Sequence, residues 1–351
     1  MDDRSFVAGQ AFILEVKKYW TTEIYPALKR EYQDRISSSG YEPETVIEVG
    51  ELFEDSQLYK TYAWLERHLQ RFKYSGRYGL APYHAERREA LVDQVNQTAR
   101  PEQLDLAPNL EMPKYYQSVD IHQHPGGVWR DDFAAHVYER GARSTTPLLG
   151  GRHRDLHQRF SDQIAHKMAP QRILDMGCGF GKSTLPFREA CPEADIEAID
   201  LSAPCVAYGA ASAAETQTGK IRFRQMNACE TDYDDGEFDL VTSTMLIHEL
   251  PPKQIEAVFD EAWRVMSPGG RMVHLDFYTL PDVFARFIHY GHARRNNEPF
   301  MAPWAEIDLV QMLAGKGFKN ISVEPFAETD GVDFVDNPAW RFPWTTISAE
   351  K

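Results

Sequence analysis

The sequence predicts an α/β protein with a mostly parallel sheet covered by helices on both faces, preceded by a mainly helical region. Before residue 168, apolar residues recur at helical spacing, and after Pro170 short apolar runs alternate with helical segments. Strands that alternate with helices indicate a parallel sheet. At roughly 150 residues per domain, 351 residues suit two domains. We therefore expect a helical domain over residues 1–168 and a second domain over residues 169–351.

The first half is helical and rich in aromatic residues. Helices are predicted over residues 6–36, with a kink at Pro26, and over 55–74, 81–99, 132–140 and 152–168. Between them, residues 100–130 contain four prolines and a Gly126-Gly127 pair, and no periodicity. An irregular stretch this long is usually functional or a linker. We expect it, with the helix that follows, to fold over the sheet as a substrate cap.

Seven strands are predicted in the second half, over residues 172–176, 195–200, 220–226, 238–243, 270–276, 318–324 and 342–348. A helix over residues 252–266 stops at Pro268-Gly269-Gly270. Ligands of parallel sheets lie at the carboxyl ends of the strands. Functional residues are therefore expected just after each strand.

Composition narrows the function classes. Asp plus Glu is 53 against 38 Lys plus Arg, a formal net charge of −15, and such a chain repels nucleic-acid phosphates and anionic membranes. No apolar run is long enough to span a membrane, and the start, Met1-Asp2-Asp3-Arg4, lacks a secretory pattern. Four cysteines without CxxC spacing suit reduced thiols. We expect a cytoplasmic protein with no nucleic-acid or membrane partner, and the aromatic N-terminal helices are a possible homodimer surface.

A glycine loop follows the first strand of the second half. It reads Asp175-Met-Gly177-Cys178-Gly179-Phe-Gly181-Lys182. A dinucleotide fingerprint needs GxGxxG, whereas the spacing here is GxGxG, and a P-loop fails by one residue. Both phosphate-binding alternatives also conflict with the Asp175 carboxylate. The loop therefore favours a ligand that presents an ammonium group and no phosphate, as S-adenosylmethionine does.

The later strand ends suit the rest of that cofactor. Asp200 can accept both ribose hydroxyls, with Leu201 beside it, and Asn227 can accept from the adenine amino group while the Ala228 amide faces a ring nitrogen. Thr242 and Ser243 are expected to line the sulfonium side. The predicted cofactor-binding residues are thus Asp175, Gly177, Cys178, Gly179, Gly181, Asp200, Leu201, Asn227, Ala228, Thr242 and Ser243.

These residues resemble the class I S-adenosylmethionine-dependent methyltransferases, near the small-molecule branch that includes ubiquinone-type and natural-product enzymes. The resemblance covers roughly residues 172–351. It rests on the glycine loop, Asp200, Phe238-Asp239-Leu-Val241, His248-Glu249-Leu-Pro and Ser267-Pro-Gly-Gly270. Asn227 departs from it, because many relatives are acidic there. The resemblance implies a Rossmann-like seven-stranded sheet whose final strand, residues 342–348, inserts antiparallel.

Proton-transfer candidates stand at strand ends and in the irregular segment. His248 follows the fourth strand of the second half, and Asp276 ends the fifth. His122 and His124 lie between aromatic residues and a glycine turn, in a stretch typical of a binding loop. We take these four as catalytic candidates. The substrate-binding candidates are Tyr115, Tyr116, Trp129, Glu249, His274 and Arg294.

A metal site is the alternative interpretation of the histidines. His122-x-His124 and the His153/His157 pair have ligand-like spacing, but no third spacing ties them together. We therefore expect no metal, and polar loop histidines without a chemical role also remain possible.

The predicted function is methyl transfer from S-adenosylmethionine to a small molecule by in-line displacement, under the N-terminal cap. Oxygen is the first expected acceptor, followed by carbon, sulfur or nitrogen. The alternative is a cofactor-bound protein that does not methylate, either a lyase or cyclase or a regulatory binding protein. A dinucleotide oxidoreductase is opposed by the GxGxG spacing.

Overall fold

The computed structural model describes residues 2–143, 152–216, 220–333 and 344–351. In these residues an eight-stranded, mostly parallel sheet has the order β1-β4-β3-β2-β5-β6-β8-β7. The strands are β1 (Leu104–Asp105), β2 (Arg172–Met176), β3 (Asp195–Asp200), β4 (Ile221–Gln225), β5 (Phe238–Thr244), β6 (Met266–Phe277), β7 (Lys319–Pro325) and β8 (Trp344–Glu350). The predicted α/β class is confirmed, and β8 pairs antiparallel with both β6 and β7. Residues 342 and 343 of the predicted last strand lie outside the described residues.

The strand count differs from the predicted seven because of β1. This two-residue strand comes from the irregular segment and pairs in parallel with β4 at the edge of the sheet. Pro101 and Pro108 flank it, and a strand of two residues is too short to show any periodicity.

Helices cover the sheet and make up most of the first half. They are α1 (Asp3–Tyr19), α2 (Tyr25–Ser39), α3 (Val46–Leu52), α4 (Gln57–Ser75), α5 (Leu80–Ala85), α6 (Arg88–Thr98), α7 (Lys114–Gln117), α8 (Ala134–Ala142), α9 (Arg152–Met168), α10 (Thr184–Ala190), α11 (Ala203–Glu215), α12 (Pro252–Val265), α13 (Val283–Asn296), α14 (Met301–Ala305) and α15 (Leu309–Gly315). None of the helices in the described ranges is both long and apolar enough to cross a membrane. The domain boundary between residues 168 and 169 remains a prediction.

Two sequence features shape the N-terminal helices. Pro26 has no N–H, so the chain passes from α1 to α2 through a π-helical turn, Trp20–Ile24, where the Tyr25 N–H bonds to Trp20 O. The single helix predicted over residues 81–99 is instead split into α5 and α6. At the break, the Arg87 guanidinium bonds to Tyr83 O at 3.0 Å, the carbonyl that would accept the next helical bond.

The core lies on both faces of the sheet. Side chains alternate along β2, so Ile173 packs on one face and Leu174 on the other. Helix α12 covers the Leu174 face through Phe259. On the Ile173 face one continuous cluster includes Trp20 and Tyr62 from the N-terminal helices. The two halves of the chain therefore share a core.

Candidate active site

A cleft lies at the carboxyl ends of β2, β3, β4 and β5. The sheet side contributes Gly179, Asp200 and Asn227, and the opposite side is formed by α1, α4 and α8 together with Tyr115 and Tyr116 of α7. The irregular segment is held against the sheet at the start of α11, where the Ser202 Oγ donates to Val128 O at 2.6 Å. The cleft is thus enclosed between the two halves of the chain.

The glycine loop forms one wall. Gly177 and Gly179 have φ of +69° and +52°, in the left-handed region that favours glycine. A Cβ on Gly177 would lie 2.7 Å from Leu246 Cδ1. Gly177, Cys178 and Gly179 line the cleft, whereas Gly181 packs on Phe223 beneath it. The loop leaves its backbone open to a ligand, as a nucleoside-type cofactor requires.

Two backbone N–H groups orient the Asp200 carboxylate. Gly179 N donates to Oδ2 at 2.9 Å, and Ser202 N donates to Oδ1 at 2.8 Å. Burial raises the pKa of Asp200 to about 6. Asp200 and Leu201 both line the cleft. Each carboxylate oxygen keeps a lone pair for a ligand hydroxyl, which is the geometry that a ribose diol needs.

The next strand end provides Asn227 and Ala228, and both line the cleft. The Asn227 Oδ1 accepts from Cys229 N at 3.0 Å. This bond fixes the amide side chain and uses one of the two lone pairs of its oxygen. The second lone pair can accept from an exocyclic amine such as that of adenine.

Besides Gly181, three predicted cofactor residues lie beneath the cleft rather than in its lining. The Asp175 carboxylate is buried and accepts from Ser183 Oγ at 2.9 Å and Thr184 Oγ1 at 2.7 Å, and burial raises its pKa to about 6. Thr242 Oγ1 donates to Val273 O. Ser243 Oγ lies 2.6 Å from Nδ1 of His274, the substrate-binding candidate on β6. These groups tie the loop and strands together.

His248 and Asp276 form a buried pair. The His248 Nδ1 lies 2.6 Å from Asp276 Oδ1, and the other carboxylate oxygen accepts from Ile247 N at 2.7 Å. His248 lines the cleft, while Asp276 lies behind it. Burial lowers the pKa of His248, but the adjacent Asp276 carboxylate outweighs this and raises it above its usual value. The Nε2 atom of this oriented imidazole is the one that a cleft ligand can meet.

Opposite His248, the cleft has a polar wall, which we define as Lys17, Glu66, Gln70, His122, His292 and Glu298. His122 lies between two carboxylates, with Nε2 3.0 Å from Glu249 Oε1 and Nδ1 3.1 Å from Glu298 Oε1. Burial lowers the pKa of His122, but the two carboxylates raise it to about 10. His122 is therefore an imidazolium with both nitrogens engaged, an arrangement that orients Glu249 and leaves no free nitrogen to take a proton.

The same chain of contacts continues through α13 to α4. His292 Nε2 lies 3.4 Å from Glu298 Oε1, and His292 Nδ1 lies 2.7 Å from Glu66 Oε1. Arg295 also bonds to Glu66. Acidic and basic groups thus alternate along this chain of contacts from Glu249 to Arg295, so each charge in the chain has an opposite neighbour.

Several candidates lie away from the cleft lining. His124 is buried and stacks on Tyr74, with ring centroids 5.1 Å apart. Trp129 packs beside Tyr116. Arg294 is exposed, and its neighbour Arg295 is the arginine that contacts the wall. The His153 side chain lies outside the described residues, and within those residues no group of three or more His, Cys, Asp or Glu side chains is arranged to hold a metal ion.

Sequence reasoning missed five members of the polar wall: Lys17, Glu66, Gln70, His292 and Glu298. The helical pattern of the sequence offered a signal for the first three. Glu66 stands four residues after Tyr62 on the apolar stripe of α4, and Lys17 stands four residues after Ile13 on α1. A charged residue on a buried stripe indicates an internal partner or a ligand. Glu298 stands in the turn after α13 and carried no such pattern.

Known proteins resemble the second half of the chain. A family model described as a methyltransferase domain matches residues 173–270. The demethylmenaquinone methyltransferase of Thermus thermophilus is 33% identical over 176 residues, which cover 44% of this chain and 77% of that protein. The ubiquinone/menaquinone biosynthesis C-methyltransferase UbiE of Dinoroseobacter shibae is 31% identical, with 38% of this chain and 53% of that protein covered.

Solved structures give matches of lower identity. A putative methyltransferase from Bacillus halodurans aligns with a TM-score of 0.43 and 19% identity, covering 55% of this chain and 97% of that chain. Phosphoethanolamine N-methyltransferase 2 of Haemonchus contortus, in complex with S-adenosyl-L-methionine, aligns with a TM-score of 0.39 and 18% identity, covering 52% and 48%.

The parallel sheet, the glycine loop and the acidic end of β3 define a nucleoside-cofactor enzyme of the α/β class. The chain belongs to the class I S-adenosylmethionine-dependent methyltransferases of the small-molecule type. It is a methyltransferase with S-adenosylmethionine as cofactor, as the sequence predicts.

Proposed function

We propose that this enzyme methylates a hydroxylated aromatic small molecule, with His248 as the general base. The observation that carries the proposal is the His248–Asp276 pair, held at 2.6 Å on the cleft wall that follows β5. Aromatic side chains of the opposite wall, among them Tyr74 and Tyr138, suit a flat ring.

The cofactor supplies a methyl group on a sulfonium, which leaves as the neutral thioether of S-adenosylhomocysteine. This chain aligns the acceptor and removes its proton. His248 Nε2 takes the proton of the substrate hydroxyl while Asp276 holds Nδ1 and stabilises the resulting imidazolium. Glu249, oriented by His122, accepts a hydrogen bond from a second substrate hydroxyl or from the ring edge. His122 and Asp276 are positioning residues in this scheme.

The methyl acceptor that we propose first is a hydroxyl oxygen of the substrate, and the second is a ring carbon. Two of the similar proteins named above are a demethylmenaquinone methyltransferase and a ubiquinone/menaquinone biosynthesis C-methyltransferase. A phenolate is nucleophilic both at its oxygen and at the adjacent ring carbons, so the same base serves either outcome. Product analysis by nuclear magnetic resonance separates an O-methyl from a C-methyl product.

The N-terminal helices and the segment at residues 113–130 act as the substrate cap in this proposal. They enclose the cleft through Tyr115, Tyr116 and Tyr138 and so exclude water from the reacting groups. The shared apolar core and the bond from Ser202 to Val128 O support this role.

On the cofactor side, we propose that Asp200 binds the ribose diol, Asn227 and Ala228 meet the adenine, and Gly177, Cys178 and Gly179 receive the methionine part. Asp175 acts from below by fixing the loop through Ser183 and Thr184. Calorimetric titration with S-adenosylhomocysteine tests these assignments. Asp200→Ala should weaken binding about tenfold or more, because two charge-assisted hydrogen bonds are lost.

Asp195→Ala is the matched control, because Asp195 is an exposed carboxylate at the other end of the same strand. Its affinity should equal that of the wild type. Equal binding by Asp200→Ala would reject the ribose assignment. Release of S-adenosylhomocysteine during turnover with hydroxylated aromatics separates methylation from the non-methylating alternative.

A further inference from the structure

Two tyrosines of the irregular segment lie beside the cofactor side of the cleft. Tyr115 and Tyr116 are adjacent residues of α7, their ring centroids are 6.5 Å apart, and both line the cleft together with Asp200 and Asn227. The sequence suggests a substrate-binding role for both tyrosines. In the folded chain, however, their neighbours are the residues proposed to meet the adenosine part of the cofactor.

Tyr115 packs on the adenine side of the cleft. It is partly buried and packs against the same apolar cluster as Ala228 and Cys229, the two residues that follow Asn227. Its ring is nearly perpendicular to that of Phe300, with the two centroids 6.1 Å apart. An aromatic ring from the N-terminal half is therefore held next to the residues proposed to meet the adenine.

Tyr116 packs on the ribose side of the cleft. It contacts the small apolar cluster that contains Val128 and Cys205. Cys205 N donates to Ser202 Oγ at 3.3 Å, and Ser202 N donates to the Asp200 carboxylate. Burial raises the pKa of Tyr116 well above its usual value, and the Asp200 carboxylate adds to this rise. The ring of Tyr116 is thus close to the carboxylate that is proposed to bind the ribose.

The edge and the faces of an adenine need different partners. The Asn227 amide suits the edge, because it accepts a hydrogen bond from an amine. A face of the base suits an aromatic ring, since every base has a π-face on which such a ring can stack. Other aromatic rings of the cleft lie elsewhere. Tyr138 packs on Phe180 beside the glycine loop, and Phe277 packs on His248.

We propose that Tyr115 and Tyr116 bind the cofactor rather than the substrate, with Tyr115 as the aromatic surface for the adenine and Tyr116 as the cover of the ribose. This inference rests on the proposed function, since it accepts Asp200 and Asn227 as the ribose and adenine contacts. Helix α7 lies outside the part of the chain that matches the methyltransferase family model, so these contacts come from the chain's own N-terminal half. That half then serves the cofactor as well as the substrate.

Calorimetric titration with two ligands tests the inference. S-adenosylhomocysteine carries every part of the spent cofactor, whereas methylthioadenosine keeps the adenine and ribose but lacks the amino-acid part. Tyr115→Leu should weaken the binding of both ligands by the same factor, about tenfold, because leucine offers the base no π-face. Tyr115→Phe keeps the ring and should bind both ligands within about twofold of the wild type.

The comparison of these two variants isolates the ring itself. Leucine and phenylalanine both lack the hydroxyl, and both can pack against the apolar cluster that Tyr115 contacts, so only the π-face differs between them. Thermal unfolding of each variant without ligand verifies that folded proteins are compared. Tyr116→Ala should also weaken the binding of both ligands, because it opens the ribose to water.

Tyr19→Leu is the matched control. Tyr19 is the last residue of α1, in the same N-terminal half, and its side chain is exposed. Its substitution should leave the affinity for both ligands unchanged.

Three results would overturn the role of Tyr115: wild-type affinity in Tyr115→Leu, an equal loss in Tyr115→Leu and Tyr115→Phe, or a loss for S-adenosylhomocysteine that spares methylthioadenosine. Wild-type affinity in Tyr116→Ala would overturn the role of Tyr116. These failures are distinguishable from failure of the proposed function. If Asp200→Ala loses affinity and Tyr115→Leu does not, the ribose contact stands and only the adenine role of α7 is wrong. If the wild type binds neither ligand, the proposed cofactor contacts are wrong as well.

Discussion

At the scale of single residues, the partner of each buried histidine decides its chemistry. His124 stacks on Tyr74, and burial lowers its pKa to about 3. His274 meets the Ser243 hydroxyl, and burial lowers its pKa to about 4. His122 is partly buried and His248 almost fully buried, but both have carboxylate partners, and their pKa values rise. The sequence places all four histidines near the site, yet the carboxylates come from distant segments, so sequence reasoning cannot rank them.

The first prediction concerns the pH dependence of His248. A general base must be neutral, and Asp276 raises the pKa of His248 above its usual 6.5. The value of kcat/KM should therefore rise with pH and level off above that raised pKa. His248→Asn should lower kcat by about 10²- to 10⁴-fold. Asp276→Asn should move the midpoint of the profile to lower pH.

The exposed His166→Asn variant is the control for this profile, which it should leave unchanged. A pH profile in Asp276→Asn that keeps the wild-type midpoint would show that the pair does not set the titration.

The second prediction concerns the glycine loop. Gly177→Ala forces a left-handed φ of +69° on alanine and brings its Cβ to 2.7 Å from Leu246. It should lower the free energy of unfolding by about 2 kcal/mol and weaken S-adenosylhomocysteine binding. Gly315→Ala is the matched control, because that position meets nothing within 4 Å and ends a helix. Denaturant unfolding should show the control to be neutral or stabilised by up to about 1 kcal/mol.

At the scale of elements, helical periodicity predicts α1, α4 and α9 but not where a helix is interrupted. The π-helical turn before Pro26 and the break at Arg87 both depend on which group donates a hydrogen bond to one backbone carbonyl. Helical periodicity carries no information about that bond. The polar residues on the buried faces of α1 and α4 were visible in the pattern. Their partners on α13 were not, since those contacts span more than 200 residues.

The third prediction concerns the network that joins α4, α13 and the segment around His122. The pKa of His122 is raised from 6.5 to about 10, so its contribution to stability is complete below pH 6.5 and is lost as the pH rises toward 10. The free energy of unfolding should fall over this interval. His122→Asn should make the dependence shallower, as measured by denaturant unfolding at several pH values.

His68→Asn serves as the comparison, because the ring of His68 contacts Trp64 and Phe72. It should keep the wild-type slope. A slope in His122→Asn as steep as that of the wild type would assign the pH dependence to other groups.

At the scale of the whole molecule, the two halves differ in how far the sequence describes them. The strand positions and the cofactor class in residues 172–351 follow from the apolar runs and the motifs at their ends, and the reversed β8 follows from the family resemblance. The cleft itself depends on how the N-terminal helices dock, and no motif in them specifies that docking. The core that Trp20 and Ile173 share forms only in the folded chain, and the sequence of neither half predicts it.

The fourth prediction tests this docking. Because Tyr116 and Tyr138 line the same cleft as Asp200, ligand binding should stabilise both halves. S-adenosylhomocysteine at a hundred times its dissociation constant should slow amide hydrogen exchange in residues 113–130 and α8 by up to about a hundredfold. Strand β7, at the far edge of the sheet, is the internal control for local effects. Protection confined to residues 172–351 would contradict the proposed cap.

The position of β8 has a consequence for the order in which the protein assembles. This strand, the last described segment of the chain, lies between β6 and β7 and pairs with both. During synthesis, β6 therefore presents an unpaired edge until residues 344–350 leave the ribosome, and β7 has no neighbour in the sheet before then. An exposed strand edge invites association with other nascent chains. The strand between β6 and β7 is thus added after both of its neighbours, so the sheet closes only once residues 344–350 are available.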